Sequence, residues 1–142
     1  MERKDLYISV YRIINKYNAK TKQPKTFGTK ETVCGSEAQV LDVVAHEDNV
    51  TGSMIASILG ITKGAVSQTL AKLEKKGLIY RDDGATAYIR LTDSGHEILV
   101  NYFAYRDCRL RKVLAAASAL PEESALIMLE LLDAFEEALD QY

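Results

Sequence analysis

The sequence predicts a mainly α-helical chain that carries one small β-hairpin. Apolar residues recur at three- and four-residue spacing through most of its 142 positions. Ser, Thr or Pro stands at the head of most of those runs, where helix starts want them. One stretch, 78–91, breaks the period around Asp82-Asp83-Gly84, a turn sequence between two β-prone segments. Composition is that of a globular protein, 47% apolar and 27% charged, and the length suits a single unit spanning 1–142.

The elements follow in order. Leu6, Val10, Ile13, Ile14 and Tyr17 share a face, so residues 4–18 read as a first amphipathic helix. Residues 20–35 are polar, with Pro24, Gly28 and Gly35, and read as an exposed loop. Ser36 and Gln39 fit a capping box, which starts a second helix that runs to about Glu47. Thr51 caps a short third helix, 52–59, and Gly60 suits the left-handed residue that closes it. Thr62 caps a fourth, 63–76, ended by Gly77. Segments 78–82 and 86–91 read as the two strands of the hairpin. Thr92 caps a long fifth helix, 93–118, and Pro121 opens a sixth, with Glu122 and Glu123 near its positive end.

Two helices joined by the turn Gly60-Ile61-Thr62 and followed by a hairpin make a winged helix-turn-helix, here 36–92. In the fourth helix Val66, Leu70 and Leu73 form one stripe that must face inward. The opposite face is Gly64, Gln68, Ala71 and Lys75, flanked by Ser67 and Lys72. Such a face suits the major groove of double-stranded DNA. Gly64 lets the backbone approach, and Ser67 and Gln68 are placed to read base edges. Thr62, Lys63 and Lys72 are placed to meet phosphates. Arg81 and Arg90, on the strands, have two readings: phosphate contacts, or ordinary surface charges of a hairpin.

From Thr51 to Leu70 (TGSMIASILGITKGAVSQTL), on through Leu73–Ile79, and again at Leu91-Thr92-Asp93-Ser94-Gly95, the sequence resembles the MarR family. The order of elements is similar along the whole chain. The resemblance implies a homodimer built by the first, fifth and sixth helices, a pseudo-palindromic operator, and release by small aromatic ligands or oxidants. It also implies a wing tip with an Asp-Arg-Arg-like sequence. Here the tip is Asp82-Asp83-Gly84-Ala85-Thr86, short and acidic, which argues against insertion into the minor groove.

A dimer is expected without the resemblance. Met128, Leu132, Phe135 and Leu139 form one stripe of the sixth helix, and Ile127, Leu131, Ala134 and Ala138 a second. A helix apolar on two sides needs partners on two sides. The resemblance adds Leu6, Val10 and Ile13 of the first helix to the first of these stripes as the expected interface, and with it 1–35 and 93–142 read as dimerisation helices and loop.

The net charge of −2 argues weakly against a nucleic-acid partner, but its distribution matters more. Residues 1–30 hold eight Lys/Arg against Glu2 and Asp5, a balance of +6. Residues 62–92 hold six against three acids, +3, and 121–142 hold seven acids and no base, −7.

Other chemistries find little footing. No nucleophile motif occurs, and Thr62-Lys63-Gly64 lacks the glycines of a phosphate loop, so no catalytic residue and no cofactor is expected. Cys34, His46, Glu47 and His96 are scattered and show no paired spacing for a metal. Cys34, near a helix start, is the one candidate for thiol sensing. Tyr7 with Tyr11, and Tyr102 with Tyr105, lie one turn apart and either pack in a core or line a pocket for a small aromatic ligand. The N-terminus, Met1-Glu2-Arg3-Lys4-Asp5, does not look like a signal peptide, and no run of about 18 apolar residues occurs, so the chain reads as cytoplasmic. The reading is a sequence-specific DNA-binding regulator, a repressor by operator occlusion. Its rivals are a winged protein-interaction module without strong DNA affinity, and a metal- or thiol-sensing regulator.

Overall fold

In a computed structural model of the chain, the structure describes residues 3–140, so Met1 and Glu2 lie outside the described residues. Six helices and one hairpin follow in order: α1 (Arg3–Thr21), α2 (Gly35–His46), α3 (Gly52–Leu59), α4 (Lys63–Lys75), β1 (Ile79–Arg81), β2 (Ile89–Leu91), α5 (Asp93–Ser118) and α6 (Glu122–Asp140). The chain divides into two compact units, Met1–Ala104 and Tyr105–Tyr142, with the boundary inside α5. No helix among the described residues is long and apolar enough to cross a membrane.

The first unit holds the core. Val40, Leu41 and Val44 of α2, Ile55 of α3, and Val66, Leu70 and Leu73 of α4 close on Leu78, Ile79 and Ile89 of the hairpin and on Ile98 and Leu99 of α5. The inward stripe expected of α4 is buried as drawn. Full burial of such side chains contributes about 1.5–3 kcal/mol each, which fixes the roll of α4 about its axis.

Local chemistry sets the boundaries. Thr51 Oγ1 accepts the Met54 amide and Thr62 Oγ1 that of Ala65, the two expected N-caps. Gly60 has φ +62°, left-handed, and turns the chain between α3 and α4. The hairpin is antiparallel, with Ile79 opposite Leu91, Tyr80 opposite Arg90 and Arg81 opposite Ile89. Its second strand gains a further bond, from the Ile89 amide to the Val50 carbonyl, which ties the hairpin to the segment just ahead of α3.

Thr92 staples the hairpin to α5. Its amide donates to the Leu78 carbonyl, its hydroxyl donates to the Gly77 carbonyl, and that same oxygen accepts the Gly95 amide. Gly95 is required there, because a β-carbon would overlap the Leu78 carbonyl oxygen.

Several expectations need correction. The helix start at Ser36 and Gln39 lies two residues earlier, where Cys34 is the N-cap and the Glu37 carboxylate accepts the Cys34 amide at 2.8 Å. The loop after α1 is not merely exposed: Lys25 and Val33 pair as a β-bridge, and Val33 is fully buried. The strands are three residues each, because Asp82 takes over the ladder. Its Oδ1 accepts the Tyr88 amide, and its own amide donates to the Tyr88 carbonyl.

In the second unit, no residue of α6 is buried within the chain. Ile127, Met128, Leu131, Leu132 and Leu139 are all exposed, and Phe135 is half-buried.

Candidate nucleic-acid interface

Burying Val66, Leu70 and Leu73 turns the opposite face of α4 to solvent. Gly64, Ser67, Gln68 and Lys72 are all exposed on it. Gly64 has room for a side chain: a β-carbon there would meet nothing nearer than Thr62 Oγ1 at 4.0 Å. The fold itself therefore does not require glycine at this position. Gln68 and Ser67 have no hydrogen-bond partner among the described residues, so their polar groups stand open. The Thr62 hydroxyl is already the N-cap acceptor for Ala65, which leaves only its proton to give.

The cations of this region fall into two groups. Lys63, Lys72 and Lys75 make no ion pair among the described residues. Lys76, Arg81 and Arg90 are paired. Lys76 Nζ lies 2.7 Å from Glu37 Oε1 and donates at 2.7 Å to the Thr32 carbonyl. Arg81 Nε lies 2.9 Å from Glu74 Oε1, and Arg90 Nη2 lies 3.3 Å from Asp82 Oδ2.

The hairpin register separates the two arginines. Cross-strand partners share a face and neighbours along a strand alternate. Arg81, opposite Ile89, is therefore on the face toward the helices, while Arg90, opposite Tyr80, is on the other. Arg81 joins Ser53, Lys63 and Ser67 around one groove, with Val66 and Leu70 at its floor, whereas Arg90 has no part in it. Ser53 and Glu74 had gone unnoticed in the sequence. Glu74 and Arg81 are seven residues apart, but α4 ends between them, so helical periodicity does not bring them together.

The acidic wing tip is partly spent inside the hairpin. Asp82 holds the Tyr88 amide and Arg90, and Asp83 stays exposed. The tyrosine pairs have separate surroundings. Tyr7 and Tyr11 share a 3.0 Å hydroxyl contact and line an open groove with Ile8, Arg12, Asn15 and Lys16, all on α1. Tyr102 packs edge-on against Phe27, and the Tyr105 ring lies beneath the Arg109 guanidinium.

Among the described residues no group of three or more His, Cys, Asp or Glu is placed to hold a metal ion. Cys34 Sγ contacts Ser36 Oγ at 3.1 Å, and His46 is bound to Asp42.

Residues 33–87 match the model of the MarR family. Over 112 residues the chain is 29% identical to YdgJ of Bacillus subtilis (strain 168), described as an uncharacterized HTH-type transcriptional regulator, with 73% of this chain and 67% of that one covered. Among solved structures it is similar to a MarR/EmrR family transcriptional regulator from Acinetobacter sp. ADP1, at TM-score 0.68 and 23% identity, covering 98% of this chain and 97% of the other. It is similar also to Lactococcus lactis ZitR in complex with DNA, at TM-score 0.71 and 17% identity, covering 98% and 99%. At these identities the two structures establish the fold.

Proposed function

We propose that the chain is a winged-helix transcriptional regulator of the MarR family, a sequence-specific repressor that occupies a pseudo-palindromic operator as a homodimer; the family match over residues 33–87 and the likeness to a relative described as an HTH-type regulator support this reading. The observation that carries this reading is the outward face of α4. Its inward stripe is locked in the core, and Gly64 and the unpartnered Ser67 and Gln68 stand beside the unpaired Lys63 and Lys72. Gln68 reads a base through its amide, Gly64 brings the backbone close, and the lysines meet phosphates. Similarity to a DNA-bound regulator supports the same reading.

The homodimer rests on α6 and α1. A helix with no buried residue and a run of exposed Leu, Ile and Met is not stable alone in water, and a second copy supplies its cover. Two copies then present two α4 helices to half-sites about 34–36 Å apart. Operator binding places the protein with the chromosome, in the cytoplasm. For release by a ligand, the α1 groove combines two tyrosine rings with Arg12 and Lys16, chemistry suited to a small aromatic acid.

The rival reading, an interaction module without DNA affinity, rests on the acidic wing tip and the net charge of −2. The engagement of Asp82 inside the hairpin weakens it. The test is binding to selected operator and to random duplex over a series of salt concentrations. Gln68→Ala is expected to cost about 1–3 kcal/mol on operator only, with the salt slope unchanged. Lys72→Ala is expected to weaken both DNAs and to make the slope shallower by about one unit for each lysine that meets a phosphate. Equal losses on the two DNAs for Gln68→Ala would remove it as a base reader.

A further inference from the structure

Ser53 sits at the second position of α3, outside the recognition helix, yet its side chain borders the same groove as Lys63, Ser67 and Arg81. The groove therefore gathers two cations and three hydroxyl residues, Ser53, Ser67 and the N-cap Thr51, over an apolar floor made by Val66 and Leu70. Gly52 closes one side, where a β-carbon would lie 3.7 Å from Leu70 Cδ1 and 3.8 Å from Val66 Cγ1. Thr51 takes the amides of Met54 and Ile55, and those of Gly52 and Ser53 have no partner among the described residues. Across the groove Glu74 accepts from Arg81 Nε, and no partner is seen among the described residues for the Nη groups. Donors thus converge from α3, α4 and β1. Among the described residues Glu74 is the one acid that touches them, and it does so through the nitrogen that a bidentate Nη contact does not need.

We propose that this groove seats one phosphate of the DNA backbone, with Ser53, Lys63, Ser67 and Arg81 as its donors. The inference rests on the DNA-binding reading and changes two assignments within it. Ser53 becomes a contact residue, and Ser67 turns from a base edge to a phosphate. Such a seat fixes the height and angle at which α4 enters the groove, leaving Gln68 to read sequence.

The test uses the full-length protein and a mixed-sequence duplex of about 30 base pairs, long enough for two half-sites. Ser53→Asp puts a negative charge in the seat and at the start of a helix, where an acid favours folding. Ser36→Asp is its matched control, because Ser36 occupies the same second position of α2 and does not line the groove. Ser53→Asp is expected to lose more than about tenfold in affinity through like-charge repulsion. Ser36→Asp should stay within about twofold, with the melting temperature of both unchanged or raised. Ser53→Ala, which removes only a hydroxyl, should lose about threefold, and Arg81→Ala should lower the salt slope by about one per protomer. Equal losses for the two aspartate variants, or no loss for Ser53→Ala and Arg81→Ala, would overturn the seat. If Lys72→Ala still weakened binding, the DNA reading would survive that result. A wild-type protein that bound no duplex at all would overturn both.

Discussion

Lys76→Met tests how the recognition helix is anchored. Lys76 is the C-cap of α4, and its ammonium reaches back 39 residues to Glu37 at the head of α2. The Glu37 side chain is 6% exposed and that of Lys76 24%. Methionine keeps the stem and deletes the charge, so Glu37 retains only the Cys34 amide, and the Thr32 carbonyl loses its donor. Breaking a fully buried pair from one side costs about 3–5 kcal/mol. Lys76 is a quarter exposed and water reaches the site, so about 2 kcal/mol is expected. With an unfolding entropy near 2.1 cal/mol/K per residue, that lowers the melting temperature by about 7 °C. Urea unfolding at fixed protein concentration measures it, since association shifts apparent stability. Adding Glu37→Gln to Lys76→Met removes the stranded charge and should recover at least half of the loss. A loss below about 0.5 kcal/mol for Lys76→Met would refute the reasoning, since it is the size expected of an exposed pair.

Other perturbations have equally definite outcomes. Gly95→Ala drives a β-carbon into the Leu78 carbonyl and is expected to cost at least about 2 kcal/mol by thermal or urea melting. Gly64→Ala, with open space around it, should change stability by less than about 0.5 kcal/mol while weakening DNA binding. Light scattering at micromolar concentration should give twice the 15.8 kDa chain mass, and a stably folded monomer would sink the two-half-site model. Replacing Cys34 and Cys108 by Ser should leave operator binding and its response to mild peroxide unchanged, whereas a peroxide response that vanished with Cys34→Ser would establish a thiol switch.

The parts of the fold legible in the sequence are those fixed by neighbours in the chain. Thr51 and Thr62 bond to amides three residues on, Gly60 answers to its own φ, and the α4 stripe repeats every turn. The start of α2 shows where this stops. Ser36 with Gln39 and Cys34 with Glu37 both have capping-box spacing, and serine is the better cap by local preference. Glu37 decides the matter because Lys76, far along the chain, supplies a second reason for its carboxylate to be there. Val33 looked like part of a polar loop for the same kind of reason, since its burial depends on packing with residues distant in sequence. At the candidate site, Lys63, Ser67 and Gln68 followed from helix geometry alone. Ser53 did not, because it lies on another helix, and the parting of Arg81 from Arg90 required the hairpin register.

That parting changes how an acidic chain meets DNA. The +3 balance of residues 62–92 suggests a broad basic patch, yet three of its six cations are held by Glu37, Glu74 and Asp82. Among the described residues, the cations of this segment without an acidic partner are Lys63, Lys72 and Lys75, all on α4, together with the outer nitrogens of Arg81. Within residues 62–92, unpaired positive charge thus lies on α4 and on one strand beside it, and of the wing's two acids Asp82 is engaged inside the hairpin. Each neutralised phosphate adds affinity for every sequence alike, and it is lost with salt. On the proposed reading, a protein with few such contacts would depend correspondingly more on what Gln68 and the bare backbone at Gly64 meet in the major groove, so economy of free charge would favour discrimination over grip.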